Sequence, residues 1–225
     1  MIQLENLTKV FFTNGQSKVI ADDISVVFPA KRAVGLLGRN GAGKSSLLRM
    51  IAGTLDPTSG TIRNTGSMSW PVGFAGSFHP ELTGLQNIRF IGRVYGVDTD
   101  ELVEFVEDFA ELGKHFDLPT RTYSSGMRSR LAFGLSMGIR FDTYLVDEVT
   151  SVGDAAFRKK SEAVFKERMQ DSGSILVSHG TAMLRRNCDM GAVLENGKLT
   201  FYEDINEAIE VHETNMDAVT LDDDE

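Results

Sequence analysis

The chain has 225 residues, 41% of them hydrophobic and 24% charged, which is enough to bury a sizeable core and is the balance of an ordinary globular protein. No apolar run approaches the ~20 residues that a membrane-spanning helix needs, and the opening "MIQLENLTKVFF" lacks the basic-then-apolar pattern of an export signal. A net charge of −9 argues against a broad nucleic-acid surface, and the one cysteine, Cys188, has no partner for an internal disulfide and is read as a core thiol without a role.

In chain order, Ile2, Gln3 and Leu4 and then the run Ile24, Ser25, Val26, Val27, Phe28 read as strands around a turn at "TNGQS", so an antiparallel β region opens the chain. Ala33, Val34, Gly35, Leu36 and Leu37 form a short buried strand that leads into "GRNGAGKS". Gly38, Arg39, Asn40, Gly41, Ala42, Gly43, Lys44 and Ser45 fill the P-loop pattern G-x-x-x-x-G-K-[ST]. Crowded glycines let backbone N–H groups converge on phosphate oxygens, and the helix that follows, with Leu47, Leu48, Met50 and Ile51 on its apolar face, adds its positive N-terminal dipole. Lys44 reaches the β and γ phosphates, Ser45 offers the hard oxygen that Mg²⁺ accepts, and Ser46 hydrogen-bonds another phosphate oxygen. ATP and Mg²⁺ are thus the expected ligands.

The turn residues of "TLDPTSGTI" return the chain to a strand, and from about 81 to 140 the pattern changes to helices. There Leu102, Phe105, Val106, Phe109 and Leu112 recur at helical spacing behind Asp98 and Glu101, which resemble a capping box. This reads as a helical subdomain inserted in an α/β core. "YLVDE" and "SILVSHG" are short buried strands with polar residues at their carboxyl ends, where ligands bind in open parallel sheets. Asp147 is placed to hold Mg²⁺, and Glu148 to orient or deprotonate the attacking water; alone, such a pair would read as a strand-end salt bridge, but a P-loop upstream favours the functional reading. His179 is a candidate contact to the γ-phosphate, although a lone histidine is more often structural. Residues 216–225 read as an acidic tail whose final run "LDDDE", Leu221 to Glu225, is solvated and disordered, and residues 1–215 read as a single domain.

These motifs, in this order, resemble the ATP-binding subunits of ABC transporters over most of the chain. The stretch Tyr123, Ser124, Ser125, Gly126, Met127 is similar to the signature usually written L-S-G-G-Q: it departs at Tyr123, Ser125 and Met127 and keeps Ser124 and Gly126. In the family this element opens a helix whose N-terminus meets the γ-phosphate of ATP bound to the other subunit. The resemblance further implies an aromatic that stacks on adenine, Phe11 or its neighbour Phe12; a D-loop at "SVGD"; and His179 as the switch histidine. It also implies a glutamine between the P-loop and the insert, and here there is none before Gln86; Ser77 and His79 are the candidate replacements.

"YSSGMRSRLAF", "SWPVGF", "FHPELTG" and "DEVTSVGD" resemble exporters of capsular polysaccharide and related lipid-linked glycans. The expected architecture is therefore a P-loop NTPase core, α/β with a mixed, mostly parallel sheet, an N-terminal antiparallel β subdomain and the inserted helical subdomain. The expected function is an ATPase that homodimerises around two ATP molecules at the cytoplasmic face of the inner membrane. It would drive a separate polytopic permease that exports capsular polysaccharide, with membrane association only through that partner and no nucleic acid. O-antigen or teichoic acid is the alternative cargo, and the short chain favours the capsule branch. Non-transport ABC ATPases would predict a coiled-coil insertion or tandem cassettes, and a P-loop kinase would have no use for the signature element.

Overall fold

The structure, a computed structural model, describes residues 1–13, 15–73, 76, 78–147, 154–178 and 180–222, without the side chains of residue 13 and of residues 218–222. It divides into two compact units, one formed by Met1–Pro71, Asp142–Glu148 and Asp171–Glu225, the other by Val72–Phe141 and Val149–Gln170.

The first unit opens on a long hairpin, β1 (Ile2–Thr13) against β2 (Gln16–Phe28), and β4 (Ser59–Asn64) joins the other edge of β1 to give an antiparallel sheet of order β2-β1-β4. Its second sheet is built from β3 (Ala33–Leu37), β5 (Met68–Pro71), β6 (Thr143–Asp147), β7 (Gly173–Val177), β8 (Met190–Glu195) and β9 (Lys198–Tyr202), in the order β5-β6-β7-β3-β8-β9. Five of these strands run parallel and β9 returns antiparallel at the edge. The parallel strands read as continuous apolar runs because both faces are covered; Tyr144, Leu145 and Val146 on β6 and Ser174, Ile175, Leu176 and Val177 on β7 are all buried.

Helix α1 (Lys44–Ile51) places Leu47, Leu48, Met50 and Ile51 against Leu36, Ile175 and Ala192 of the parallel sheet, and Leu4, Leu7, Ile24 and Phe28 of the antiparallel sheet join the same core. Helix α6 (Thr181–Asn187) follows β7, and α7 (Ile205–Asp222) packs on β8 through the buried Ala208 and Ile209. The backbone of that helix runs through Met216 to Asp222, so the acidic stretch read from residue 216 begins as its last turns. Cys188 is buried at Gly35, and burial pushes its thiol up to about 12, so it stays protonated as an apolar core group.

The second unit holds α2 (Gly84–Tyr95), α3 (Thr99–Ala110), α4 (Ser125–Gly138) and most of α5 (Ala155–Asp171). It reaches beyond the expected 81–140 because α5 packs with α3 and α4 around one aromatic cluster. Phe109 meets Phe133 and Phe157 at centroid distances of 5.7 and 5.1 Å, and the cations of Arg130 and Lys160 lie 4.4 and 5.4 Å from the rings of Phe157 and Phe109. Local caps set the helix starts: Asp98 accepts from the amides of Asp100 and Glu101, and Thr83 with Gln86 closes a reciprocal capping box.

Candidate functional site

The site of the first unit is built where β3 ends. Gly38 has φ +148°, and a Cβ there would lie 2.4 Å from the backbone oxygen of Leu194; only glycine lets the loop pass strand β8 at that distance. Gly43, at φ +109°, caps α1 without a side chain, so the first-turn amides of α1 have no acceptor within the helix. Lys44 is 8% exposed, and its ammonium donates to the carbonyls of Gly38 at 2.6 Å and Arg39 at 3.0 Å. These two carbonyls fix a buried cation at the mouth of the loop, which is the electrostatic complement of a polyphosphate.

Strand β6 brings Asp147 to the same place: the Ser45 hydroxyl donates to Asp147 Oδ1 at 3.2 Å across 102 residues of sequence. A hydroxyl and a carboxylate at this separation are two hard oxygen donors suited to a divalent cation. Glu148 and His179, both singled out from the sequence, lie outside the described residues, as do Ser151, Val152 and Gly153 of the D-loop stretch. Asp154 is described, and its carboxylate accepts from the Phe157 amide at 2.9 Å and from Arg130 at 3.0 Å; those bonds hold its carboxyl below the usual range.

A cavity of about 400 Å³ opens over the loop. It is lined by Gly38, Arg39, Asn40 and Lys44, by Ser178 and Thr181 beyond β7, and by His212 and Met216 of α7. The last two were missed in the sequence; their i, i+4 spacing marks one helix face, but nothing in it points to a loop so far upstream. Burial and then the nearby Lys44 charge push the imidazole of His212 below its ordinary value.

Both candidate aromatics lie on the hairpin. Phe11 pairs with Lys18 across β1 and β2, Phe12 with Ser17, and neighbours along a strand face opposite ways. Phe11 is 37% exposed with the Lys9 ammonium 4.9 Å from its ring centroid, whereas Phe12 is 78% exposed. The Lys18 side chain reaches Gly41 of the P-loop, so Phe11, and not Phe12, shares the face turned to the loop.

In the second unit Ser124 caps α4, its hydroxyl accepting from the Met127 amide at 3.2 Å, and Ser124, Ser125 and Gly126 are all exposed. Tyr123, which stands where the signature usually has leucine, is buried; its hydroxyl donates to the His115 carbonyl at 2.7 Å, and burial raises its pKa. Of the candidates for the missing glutamine, Ser77 lies outside the described residues. The backbone of His79 is tied by the buried Asn87, and its Nδ1 accepts from the Glu81 amide at 3.3 Å. Gln86 is spent on the cap of α2.

The sequence profile of the family described as ABC transporter matches residues 21–151. The chain is similar to the polysialic acid transport ATP-binding protein KpsT of Escherichia coli, at 47% identity over 96% of this chain and 98% of that protein. It is also similar to the capsule polysaccharide export ATP-binding protein CtrD of Neisseria meningitidis, at 44% over 94% and 98%. The O-antigen export system ATP-binding protein RfbB of Klebsiella pneumoniae is more distant, at 35% over 90% and 84%. Among solved structures, the ATP-binding cassette MJ0796, captured as a dimer in a post-hydrolysis state with ADP and Pi, matches with a TM-score of 0.75 at 19% identity, covering 91% of this chain and 99% of its own.

Proposed function

This chain belongs to the ABC transporter family and is an ATP-binding ATPase subunit, and we propose that it powers export of capsular polysaccharide through a separate membrane-spanning partner. The observation that carries the site is the Ser45 to Asp147 hydrogen bond beside the buried Lys44, because it joins a phosphate cradle to a strand-end acid within one unit. The cargo is carried by near-full-length likeness to capsule-type exporters at 44–47% identity, against 35% for the O-antigen protein.

In this reading the backbone amides of residues 41–46 and the Lys44 ammonium hold the phosphates, and Phe11 stacks on the adenine. Ser45 and Asp147 hold Mg²⁺; when bound, that ion screens the phosphates and draws charge from the terminal one. Glu148, the next residue after Asp147, orients a water and takes its proton as the water oxygen attacks the γ-phosphorus and the bond to the bridging oxygen of ADP breaks. His179 hydrogen-bonds the γ-phosphate. The exposed N-terminus of α4, with Ser124, Ser125 and Gly126, meets the γ-phosphate held by a second copy, so the working form is a homodimer with two composite sites. His79 or Ser77 stands in for the missing glutamine.

The membrane partner is supported by α2, which leaves Phe90 60% and Val94 65% exposed at i, i+4, an apolar stripe on the second unit. No helix among the described residues is long and apolar enough to cross a membrane. In this reading the chain works at the cytoplasmic face through that partner.

Glu148→Gln is the direct test of the chemistry. It should bind ATP, accumulate as a dimer on gel filtration, and lose about 10²–10³-fold in turnover; near-normal hydrolysis would remove Glu148 from the mechanism. The cargo is tested in a capsule-export null strain: surface capsule should return with the wild-type chain and its permease but not with Lys44→Ala. Restoration of O-antigen export and not of capsule would reverse the assignment.

A further inference from the structure

Strand β2 runs along the P-loop with one face. Ile20 lies under Gly43, where a Cβ would stand 2.3 Å from its Cγ2, and two residues earlier on the same face the Lys18 ammonium stands 3.7 Å from where a Cβ of Gly41 would begin. The register sets Lys18 directly opposite Phe11, so the aromatic and this second ammonium flank one strip of surface that ends at the loop. The two lysines near Phe11 are used differently. Lys9 lies over the ring and donates to the Asp56 carbonyl at 2.7 Å, which ties it to the loop before β4. Lys18 is exposed and has no hydrogen bond or ion pair with any described residue. An ammonium without a counterion among the described residues adds a second positive charge beside the loop that carries Lys44.

We propose that Lys18 is a further nucleotide-binding residue, a cation that contacts the phosphate chain of ATP on its adenosine side, between the ring of Phe11 and the ammonium of Lys44. The division of labour follows from burial. Lys44 is buried and pinned by two carbonyls at the site of β and γ charge, whereas Lys18 is an exposed arm on the hairpin that closes over a phosphate already seated. Its attraction is partly screened by water and salt, so its contribution is smaller and more salt-sensitive than that of Lys44. The inference rests on the nucleotide reading of the P-loop.

The test is calorimetry on the full chain with ATP, ADP and adenosine at two ionic strengths, comparing wild type with Lys18→Gln, Lys18→Glu and Lys18→Arg. Lys18→Gln should weaken ATP and ADP alike by roughly five- to tenfold, with a shallower dependence of affinity on salt. Lys18→Glu should weaken them further, Lys18→Arg should stay within about twofold of wild type, and adenosine, which has no phosphate, should compete equally against all four. The melting temperature without nucleotide should be the same in all four, while the rise on adding ATP should shrink in the Gln and Glu variants. Lys18→Gln and Lys18→Glu binding ATP as wild type does, with the same salt dependence, would overturn the role of Lys18 and leave the P-loop reading standing. Failure of the wild-type chain to bind ATP would overturn both.

Discussion

The two helix N-termini of this chain that are read as phosphate-facing differ in how they are made. At α1 the loop is threaded through Gly38, where a Cβ would meet the Leu194 backbone at 2.4 Å, the lysine is 8% exposed and held by two carbonyls, and the hydroxyl of the next residue already touches a carboxylate from another strand. At α4 the serine that caps the helix lies exposed with its two successors, and its hydroxyl satisfies the Met127 amide from within. The first is a cradle assembled within one unit around a buried cation. The second is a dipole and a few amides at a surface, worth little until an anion is delivered to it. A chain with one complete cradle and one bare helix end has a physical reason to pair head to tail with its copy.

Mixing is the strongest way to break that contrast. Lys44→Ala should lower turnover at least about 100-fold, because a preorganised cation at developing phosphate charge is lost, and Ser124→Arg should do the same by placing bulk where the second copy docks. Combined in one dimer, the two variants leave one site with both defects and one with neither. ATPase activity should reappear on mixing, up to about half the wild-type rate per mixed dimer if the sites act independently. Full activity of Ser124→Arg alone would assign α4 no part in hydrolysis and make the α1 site self-sufficient.

A second substitution asks how much of the α1 site is bought with backbone constraint. Gly38→Ala forces a Cβ to 2.4 Å from the Leu194 carbonyl at a φ that L residues seldom adopt, so thermal unfolding should show a loss on the order of 3 kcal/mol along with loss of ATP binding. Gly126→Ala, at α4, meets only the Ser124 hydroxyl at 3.9 Å and should change stability little. Equal losses at the two glycines would erase the distinction drawn here.

The smallest expected effect is a pH dependence confined to the α1 side. His212 lines that cavity with Lys44 and Arg39, with the carboxylates of Glu195 and Glu213 acting in the opposite sense, and its folded pKa is depressed below 6.5. A histidine that is harder to protonate when folded contributes stability above the unfolded value, and this is lost as pH falls below about 6.5 towards the folded value. The melting temperature of the nucleotide-free chain should therefore sag gently as pH falls below about 6.5, and His212→Gln should flatten that part of the curve. The imidazole is only partly buried, so water screens the effect; an identical profile for the variant would separate His212 from the cavity's charge balance.

The sequence by itself determined the parts whose chemistry is local. A glycine-rich loop between an apolar strand and an apolar-faced helix has few other uses, and "YLVDE" is legible because a fully buried strand must be apolar until it emerges, which marks Asp147 as the first residue at the ligand end. Asp98 announced a helix start for the same reason: a cap is satisfied by neighbours a few residues away. The tertiary structure alone decided what depends on distant pairing. The β1 and β2 register set Phe11, not Phe12, opposite Lys18 on the face turned to the loop, and α7 brought His212 and Met216 over the P-loop. The aromatic cluster drew α5 into the helical unit. Periodicity shows which face of an element is apolar; which other face it meets is fixed only when the whole chain finds the packing that buries them together.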